Sequence, residues 1–388
     1  MHILIIPTWY VTPERPDLGI YFREQALALM KSGQETGVVY VDFGLDNAWN
    51  KLINLHLFER SFHLDHGMPT LRLEMLGFSK RFVWSQRLYV KLVLSCYEEY
   101  CQKVGTPDII HAQGYTAGFA ASRIKQQWKI PFVYSEHLST LRGHQYPAAH
   151  GYMVQTSLRQ ADAITAVSSA LAGWMQEKTA RAIQVIPNLV DTDFFKPDAS
   201  KKTGTFTFLY VGDLIPIKAP EVLLYAFSIF LRSNAHKNVR LDLVGMGHLR
   251  NALEKLTHRL SITEYVHFHG LLPAAAVVVK MQGANCLVLT SQTETFGVVQ
   301  TEAMACGLPV IATDCGGPAD IVTHETGILV KTHDPAALAD AMTTLFEKWS
   351  HYNPVTIRAS TVERFGHEKV SQRWIKLYKE VIEANYTA

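Results

Sequence analysis

The sequence has no long apolar segment, no large excess of either charge and no cysteine framework. Its longest run without a polar residue covers nine positions, 271–279, and contains Pro273, whereas a helix needs about 20 apolar residues to cross a bilayer. Lysine and arginine total 37 against 35 acidic residues, a net charge of +2. This near balance argues against a general nucleic-acid binder. Five cysteines without a CxxC pair give no disulfide framework.

The opening residues 1–7 are too short for a signal-peptide core and carry no cleavage pattern. Together with the cysteine usage, they predict a reduced, cytoplasmic protein. Across 388 residues, 48% of positions are apolar and 19% are charged. This is the balance of a globular protein of two or three domains.

Short β-branched runs alternate with helical patterns in both halves of the chain. The predicted strands are 2–6, 36–41, 108–111, 131–135, 163–167 and 183–186, then 205–211, 239–244, 265–268, 285–289, 309–312 and 328–330. The predicted helices include 20–31, 116–127, 168–177, 219–232, 248–258, 273–281, 298–305 and 336–348. This alternation is typical of α/β proteins with parallel, doubly wound sheets.

A polar, turn-rich segment at 196–204 marks the predicted boundary between two such sheets. We therefore predict a first α/β domain over 1–196 and a second over 205–365. Residues 366–388 are predicted to form an amphipathic helix that returns to the first domain. Because open parallel sheets bind ligands at the carboxyl ends of their strands, we expect a substrate cleft where the two domains face each other.

The most informative stretch, 291–310, follows an apolar strand, opens a helix and places Glu294 and Glu302 eight positions apart. The backbone N–H groups of Phe296, Gly297 and Val298 would lie at the N-terminus of that helix. There they lack intrahelical acceptors and can bind an anion. Carboxylates repel phosphate, so the two glutamates are expected to bind hydroxyl groups, with Glu302 placed to bind a diol such as ribose.

The run from Glu294 to Glu302 resembles the E-x7-E motif of the retaining family 4 glycosyltransferases, which have the GT-B fold of two Rossmann-like domains. Other segments resemble the family's pattern in the family's order, and the resemblance is densest over 206–331. These segments are Gly19, 111–113, 186–191, 211–214 with Lys218, 244–247, 266–270, 312–322 and 325–330.

The resemblance implies how a nucleotide-diphosphate sugar is bound. Glu302 would hold the donor ribose, Glu294 would contact the hydroxyls of the donor sugar, and Lys218 would bind the diphosphate. The N–H groups at the helix start would lie near the sugar and the β-phosphate. His137 would stand beside the anomeric carbon, so His137 and Glu294 are the predicted catalytic residues. The other implied donor-binding residues are Gly19, Gly212, Gly245, His269, Gly270 and Leu271.

The same resemblance implies a metal-independent reaction without a cofactor, in which the acceptor attacks the front face and the leaving phosphate takes its proton. Lys218 and the helix N–H groups would stabilise the departing diphosphate. A UDP-sugar is the expected donor, because UDP donors are the more common among such relatives.

The sequence departs from the family at Asp213, where many members carry arginine. A carboxylate about 4 Å from a phosphate would cost roughly 4 kcal/mol at an effective dielectric of about 20. We therefore expect Asp213 to point away from the phosphate and either to position Lys218 or to cap the turn.

The first domain resembles bacterial members that build surface polysaccharides, through Thr8-Trp9-Tyr10 and residues 19–25. This implies a glycan or lipid-linked acceptor in envelope or exopolysaccharide assembly. From loop position, acceptor contacts are predicted from Tyr10, Tyr21, Arg23, Tyr115 and Arg142.

Segment 79–91 carries four basic residues, no acidic residue and several aromatic side chains. One interpretation is an interfacial helix that docks on anionic lipid, which would place the protein on the inner face of the membrane. The other interpretation is a helix that packs one apolar face on the first domain.

Two other functions stay open on the sequence alone. A nucleotide-sugar epimerase can use the same scaffold, and a non-catalytic nucleotide-binding subunit is suggested by Asp213. A metal site is not expected. Asp191 and Asp193 form a D-x-D motif, but they lie where the family has its interdomain turn. The histidine pairs within 63–66 and 267–269 have no third ligand at a suitable spacing.

Overall fold

The computed structural model of the chain describes residues 1–12, 18–42, 58–75, 83–138, 150–202, 204–234 and 238–386. The chain folds into two compact units, each with its own sheet. The first unit comprises Met1–Leu189 and Val370–Ala388, and the second comprises Val190–Lys369. Among the described residues, no helix is both long and apolar enough to span a membrane.

The first unit contains an eight-stranded sheet with the order β3-β4-β2-β1-β5-β6-β7-β8. Its strands are β1 (His2–Pro7), β2 (Glu35–Asp42), β3 (Phe58–Asp65), β4 (Met68–Met75), β5 (Ile109–Gln113), β6 (Phe132–Glu136), β7 (Ala163–Ala166) and β8 (Gln184–Val185). Neighbouring strands run parallel except β3, which pairs antiparallel with β4. β1 and β5 are buried along their whole length, as in a parallel sheet covered on both faces.

The edge hairpin of β3 and β4 is not predicted by the sequence. No residue of β3 is fully buried, and apolar and polar side chains do not separate cleanly along it. The alternation that marks a half-buried strand is therefore weak. The hairpin extends the sheet beyond β2 and adds a polar surface beside the loop that follows β1.

Helices cover the faces of the first sheet. They are α1 (Ile20–Lys31), α2 (Val83–Lys103), α3 (Tyr115–Trp128), α4 (Gly151–Gln160) and α5 (Ser169–Gln176). α2 contains residues 83–91 of the predicted basic-aromatic segment, and residues 79–82 lie outside the described residues. α3 and α4 pack closely, since a Cβ on Gly118 would lie 2.8 Å from Ser157 Oγ.

The second unit contains a six-stranded, wholly parallel sheet with the order β11-β10-β9-β12-β13-β14. Its strands are β9 (Phe206–Val211), β10 (Val239–Val244), β11 (Val266–Gly270), β12 (Cys286–Leu289), β13 (Val310–Thr313) and β14 (Gly327–Val330). Its helices are α6 (Pro220–Asn234), α7 (Arg250–Arg259), α8 (Ala274–Gly283), α9 (Val298–Ala305), α10 (Pro335–Glu347) and α11 (Pro354–Phe365). The predicted α/β class with two doubly wound sheets is confirmed.

The chain passes between the units at residues 189–190 and again at 369–370. Close to these passages, two segments of the second unit are hydrogen bonded to each other. Val190 N–H donates to Phe365 O at 2.9 Å, and His367 N–H donates to Val190 O at 3.2 Å. The segment 196–204, predicted as the boundary, lies inside the second unit. Its polar, turn-rich composition reflects an exposed 3-10 turn at Ala199–Lys201.

The last helix, α12 (His367–Tyr386), packs in the core of the first unit. It is separated from α11 by Gly366, whose N–H donates to Val362 O and whose ψ of 143° is extended. The apolar residues of α12 join Ile3 and Ile5 in one cluster. These residues are Val370, Trp374, Leu377, Tyr378 and Val381.

A chain of buried hydrogen bonds ties α12 to the first sheet. His111 of β5 is fully buried, and its Nδ1 lies 2.6 Å from the Tyr378 hydroxyl. Its Nε2 lies 2.6 Å from Ser135 Oγ on β6, which is 2.5 Å from Thr165 Oγ1 on β7. Burial holds the pKa of His111 well below its usual range. The ring is therefore neutral, so one of its nitrogens donates and the other accepts along this chain of hydroxyl groups.

Tyr378→Phe should lower the free energy of unfolding by about 1–3 kcal/mol, because it leaves a buried histidine nitrogen without its main hydrogen-bond partner. Urea denaturation of the full chain, followed by circular dichroism, measures the change. Tyr386→Phe is the matched control, since this tyrosine is 83% exposed on the same helix. Equal denaturation midpoints for the two variants would show that the hydrogen bond does not stabilise the first unit.

Candidate active site

The loop after β12 and the start of α9 form the centre of the site in the second unit. α9 begins at Val298, and its N-cap, Gly297, has a left-handed φ of 104°. The first-turn N–H groups of a helix have no intrahelical acceptor, so they are available to an anion. Gly317 supports the loop from behind. Its N–H donates to Glu294 O at 2.9 Å, and a Cβ there would lie 2.3 Å from the Cα of Phe296.

Two predicted donor-binding side chains, far apart in the sequence, meet in front of this loop. Lys218 Nζ donates to Glu294 Oε1, which also accepts from Ser291 Oγ at 2.8 Å. The ion pair is partly buried, with 29% of the lysine and 16% of the glutamate side chain exposed. The structure therefore brings together the residues expected at the diphosphate and at the sugar. Ser291 had not been predicted as a site residue.

The position of Lys218 is fixed by its backbone. Lys218 ends a 3-10 turn, Pro216–Lys218, which follows β9. Thr290 Oγ1 lies 2.9 Å from Lys218 O and 3.0 Å from Ala219 O, and Gln292 N–H donates to Ile217 O at 2.8 Å. The turn is thus docked on the residues that precede Glu294, and the two ends of the ion pair share one support.

Glycines allow three neighbouring loops to touch at this edge of the sheet. Gly245 has a φ of 137°, and a Cβ there would lie 2.0 Å from Gly212 O. Gly245 N–H donates to Gly270 O at 2.8 Å, and Gly270 has a φ of 70°. Leu271 follows with its side chain 67% exposed. The predicted residues Gly212, Gly245, Gly270 and Leu271 therefore lie together at the carboxyl ends of β9, β10 and β11.

His269 is held in a charged cluster beside this turn. Its Nε2 lies 3.2 Å from Asp242 Oδ2 and 3.0 Å from Lys280 Nζ. Desolvation is the main cause that lowers its pKa, and Asp242 opposes it. The imidazole is already hydrogen bonded within the protein, which leaves its proposed contact with the nucleotide base as a prediction.

Asp213 is exposed, and no described residue forms an ion pair with its carboxylate. Its backbone carbonyl accepts from the Tyr210 hydroxyl at 2.9 Å. Of the two roles expected for Asp213, the positioning of Lys218 is wrong, because the partner of Lys218 is Glu294.

Two further polar side chains of α9 are mostly buried near its N-terminus. Burial raises the pKa of Glu302 to about 7. Gln300 is fully buried, and neither atom of its amide has a hydrogen-bond partner among the described residues. Its Nε2 would lie 2.3 Å from a Cβ on Gly297, so the amide lies directly behind the helix start. Only Glu302 was predicted, because Gln300 occupies one of the seven variable positions between the two fixed glutamates of the motif.

The first unit carries a second group of predicted residues around His137. Its ring lies 5.5 Å from that of Tyr21 and 4.7 Å, edge-on, from that of Phe22. Both ring nitrogens are buried without a partner among the described residues, and burial lowers the pKa of His137 to about 3. The ring is therefore neutral. Gly19 lies just before these aromatic residues on α1, and a Cβ there would lie 2.6 Å from Trp9 O.

Glu136 holds the loop that carries His137, a role that the sequence did not reveal. Its carboxylate is fully buried. Oε1 accepts from His137 N–H at 2.8 Å and from Leu138 N–H at 2.9 Å, and Oε2 accepts from the Tyr134 hydroxyl at 2.6 Å. These bonds compensate for burial of the carboxyl, although desolvation still raises its pKa.

Among the predicted acceptor residues, Tyr21 contacts the His137 ring, and the other described ones divide into two groups. Tyr10 is buried and donates to Asp65 Oδ2 at 3.1 Å, while Arg23 binds the same carboxylate through Nε at 2.9 Å and Nη2 at 2.8 Å. Tyr115 is buried elsewhere, with its hydroxyl 2.8 Å from His150 Nδ1. Its hydroxyl is thus engaged inside the protein. Arg142 lies outside the described residues.

The D-x-D residues have a neighbour that the sequence did not suggest. Asp191, Asp193 and His367 bring one potential ligand atom each within 4.8 Å of the others. Asp191 Oδ1 already accepts from Asp193 N–H at 2.9 Å and from Phe194 N–H at 3.1 Å. This is the pattern of a carboxylate that caps a turn.

Two family models together match residues 19–379. The family described as Glycosyltransferase Family 4 matches residues 19–194, and the family described as Glycosyl transferases group 1 matches residues 191–379. A similar curated protein is the D-inositol 3-phosphate glycosyltransferase of Corynebacterium jeikeium. It is 27% identical over 324 residues, which cover 74% of this chain and 76% of that protein.

Two solved structures resemble almost the whole chain. Sucrose-phosphate synthase from Thermosynechococcus elongatus has a TM-score of 0.78 at 21% identity, with 99% of this chain and 100% of that chain covered. Anabaena HepE in complex with UDP and glucose has a TM-score of 0.73 at 21% identity, with 98% and 100% covered. At this identity the likeness shows a shared fold.

The raised pKa of Glu302 predicts a pH-dependent effect on stability. The carboxyl pKa rises on folding from 4.5 to about 7. The protonated carboxyl therefore makes its full contribution to the stability of the folded state below pH 4.5, and this stability is lost as the pH rises through 7. Glu302→Gln should therefore be more stable than the native chain at pH 8, by about 1–3 kcal/mol. The difference should shrink towards pH 4.5.

Urea denaturation of the native chain and the variant at four pH values from 4.5 to 8 measures this effect. Glu347→Gln, at an exposed position, is the matched control. A difference between Glu302→Gln and the native chain that does not vary with pH would contradict a raised pKa.

Proposed function

Because the chain belongs to the family 4 glycosyltransferases and has their GT-B fold, we propose that it is a retaining, metal-independent enzyme that transfers a sugar from a UDP-sugar to a glycan or lipid-linked acceptor. The observation that carries the proposal is the ion pair of Lys218 and Glu294 beside the N-terminus of α9. It combines a cation suited to a diphosphate with a carboxylate suited to sugar hydroxyls. The similar HepE was solved with UDP and glucose, which supports a UDP-sugar as the donor.

Donor binding would exchange the partners of this ion pair. A diphosphate carries more charge than a carboxylate, so Lys218 would turn towards it and release Glu294. The freed carboxylate could then accept hydrogen bonds from the donor sugar, while Ser291 keeps it oriented. As the bond between the sugar and the diphosphate breaks, Lys218 and the first-turn N–H groups of α9 would stabilise the growing negative charge.

The acceptor hydroxyl would attack the anomeric carbon on the face from which the diphosphate leaves, and its proton would pass to the leaving phosphate oxygen. The electrostatics of His137 support this route. With a pKa of about 3, its imidazole is too weak a base to take that proton at neutral pH. We assign it a neutral hydrogen bond to the reacting sugar, the place that the family resemblance implies.

The cell envelope is our proposed setting for the acceptor. The resemblance of the first domain to enzymes of surface-polysaccharide assembly supports it, and so does one face of α2. Trp84 is 50% exposed, and Arg87 and Lys91 are exposed three and seven residues further along. These positions share one side of the helix, which gives an aromatic and basic face suited to anionic lipid.

Sugar transfer can be followed by a proton NMR time course in the presence of EDTA. A thermal-shift panel of UDP-, GDP- and ADP-sugars first selects the donor, since a ligand at a hundredfold excess over Kd adds about 2.7 kcal/mol of stability. With neutral and lipid-linked oligosaccharides as acceptors, we expect a product with the donor's anomeric configuration. Lys218→Ala should lower turnover at least about 100-fold, because the leaving diphosphate loses its cation.

Lys376→Ala, at a lysine whose side chain is 80% exposed, is the control and should keep full turnover. A product with inverted configuration would contradict retention, and a requirement for added metal would contradict metal independence. Near-native turnover of Lys218→Ala would contradict the role of Lys218 at the leaving diphosphate. Conversion of the sugar nucleotide without an acceptor would instead identify an epimerase.

Membrane docking through α2 predicts that the protein floats with vesicles containing phosphatidylglycerol but not with pure phosphatidylcholine vesicles. The Arg87→Glu/Lys91→Glu variant should bind at least about tenfold more weakly, since each basic residue contributes about 1 kcal/mol near an anionic surface. The Lys129→Glu/Lys376→Glu variant has the same net charge and should float like the native chain. Equal flotation of both variants, or none of the native chain, would exclude this surface.

A further inference from the structure

A polar cavity of about 560 Å³ lies in the first unit. Its floor is the antiparallel pair β3–β4, and its wall comes from α1 and from the loop after β1. The volume falls in the range of about 300–1,000 Å³ that is common for small-molecule sites. Its charged lining residues are Arg23, Glu59, Asp65, Arg72 and Glu74.

Arg72 is the lining residue whose hydrogen bonds are least satisfied. It is only 7% exposed. Its Nε lies 2.7 Å from Glu74 Oε1, and its Nη1 donates to Val11 O at 3.4 Å. Its Nη2 is buried and has no hydrogen-bond partner among the described residues. An unsatisfied buried guanidinium N–H is unfavourable, and an oxygen of a ligand in the cavity would satisfy it.

The carboxylates on the floor favour a ligand that donates hydrogen bonds. Glu59 and Glu74 are directly opposite each other in the register of β3 and β4, and like charges at such positions destabilise a strand pair. No cation among the described residues pairs with Glu59. Hydroxyl groups between these carboxylates would donate to them and relieve the repulsion.

The balance of charge selects against anions. Arg23 is paired with Asp65, and Arg72 lies against Glu74, so Glu59 gives the lining residues that the structure describes an excess of one negative charge. A phosphate or carboxylate would be repelled. A sugar ring, in contrast, offers hydroxyl donors for the carboxylates and oxygen acceptors for Arg72.

The cavity is linked to the surroundings of His137 through α1. Arg23, on the cavity wall, directly follows Tyr21 and Phe22, which contact the His137 ring. We propose that the cavity binds the neutral, polyhydroxylated part of the acceptor, one or two sugar rings without phosphate. This inference rests on the proposed function, because it concerns the acceptor of that transfer.

Saturation-transfer NMR on the full chain with saturating UDP tests the cavity. The probes are the neutral disaccharides maltose, cellobiose and lactose, with glucose 6-phosphate and inositol 1-phosphate as anionic competitors. We expect at least one disaccharide to bind and neither phosphate to compete. Ser61→Trp, which fills the cavity from β3, should weaken disaccharide binding at least about tenfold. Leu64→Trp, on the opposite face of the same strand, is the matched control and should bind normally.

Glu59→Lys provides a second variant at an exposed position. It changes the charge of the described lining residues from −1 to +1. The anionic probes should therefore begin to bind, and binding of the disaccharide should become weaker. The cavity proposal is overturned if no disaccharide binds, if Ser61→Trp binds as well as Leu64→Trp, or if the phosphates compete in the native chain. UDP binding in the same samples distinguishes a failure of the proposed function from a failure of the cavity proposal. Failure to bind UDP contradicts the proposed function, whereas UDP binding without disaccharide binding contradicts only the cavity.

Discussion

Contact between backbones at the carboxyl edge of the second sheet fixes the geometry of the donor half of the site. The loops after β9 and β10 approach so closely that a Cβ on Gly245 would lie 2.0 Å from Gly212 O. On the other side of β9, Gly317 packs against the loop of Glu294 in the same way. Because no side chain separates these loops, the lysine, the carboxylates and the start of α9 are held on one rigid frame. The charged groups of the donor site are therefore preorganised, since the backbone contacts fix their positions before a donor binds.

Burial sets the protonation of the chemically important groups in both units. His137 is kept neutral, and the carboxyl of Glu302 is brought close to its titration at neutral pH. In each case desolvation is the cause, and no nearby charge of the protein is needed. The carboxylate of Glu136 is also buried, but it is stabilised by hydrogen bonds from the Tyr134 hydroxyl and the His137 N–H. The bond from His137 N–H also fixes the loop that carries His137.

Local features of the fold and site were predictable from the sequence, whereas long-range pairings were not. The alternation of strands and helices and the E-x7-E segment each depend on neighbouring residues, so periodicity and spacing reveal them. The contact of Lys218 with Glu294 depends on β9 and β12 being adjacent in the sheet, although β10 and β11 come between them in the chain. Asp65 escaped prediction for a related reason, since it belongs to an edge strand with weak alternation. The alternative that Asp213 positions Lys218 failed for the same reason, because Lys218 pairs with Glu294, which is distant in sequence.

The return of α12 to the first unit also affects how the protein is made. A ribosome releases residues 1–189 long before residues 370–381, so the newly made first unit has Ile3 and Ile5 without their covering helix and His111 without Tyr378. Its core is complete only after the whole second unit has been synthesised. The nascent first unit therefore exposes this apolar surface while the second unit is being synthesised, and transiently exposed apolar surface of this kind favours aggregation.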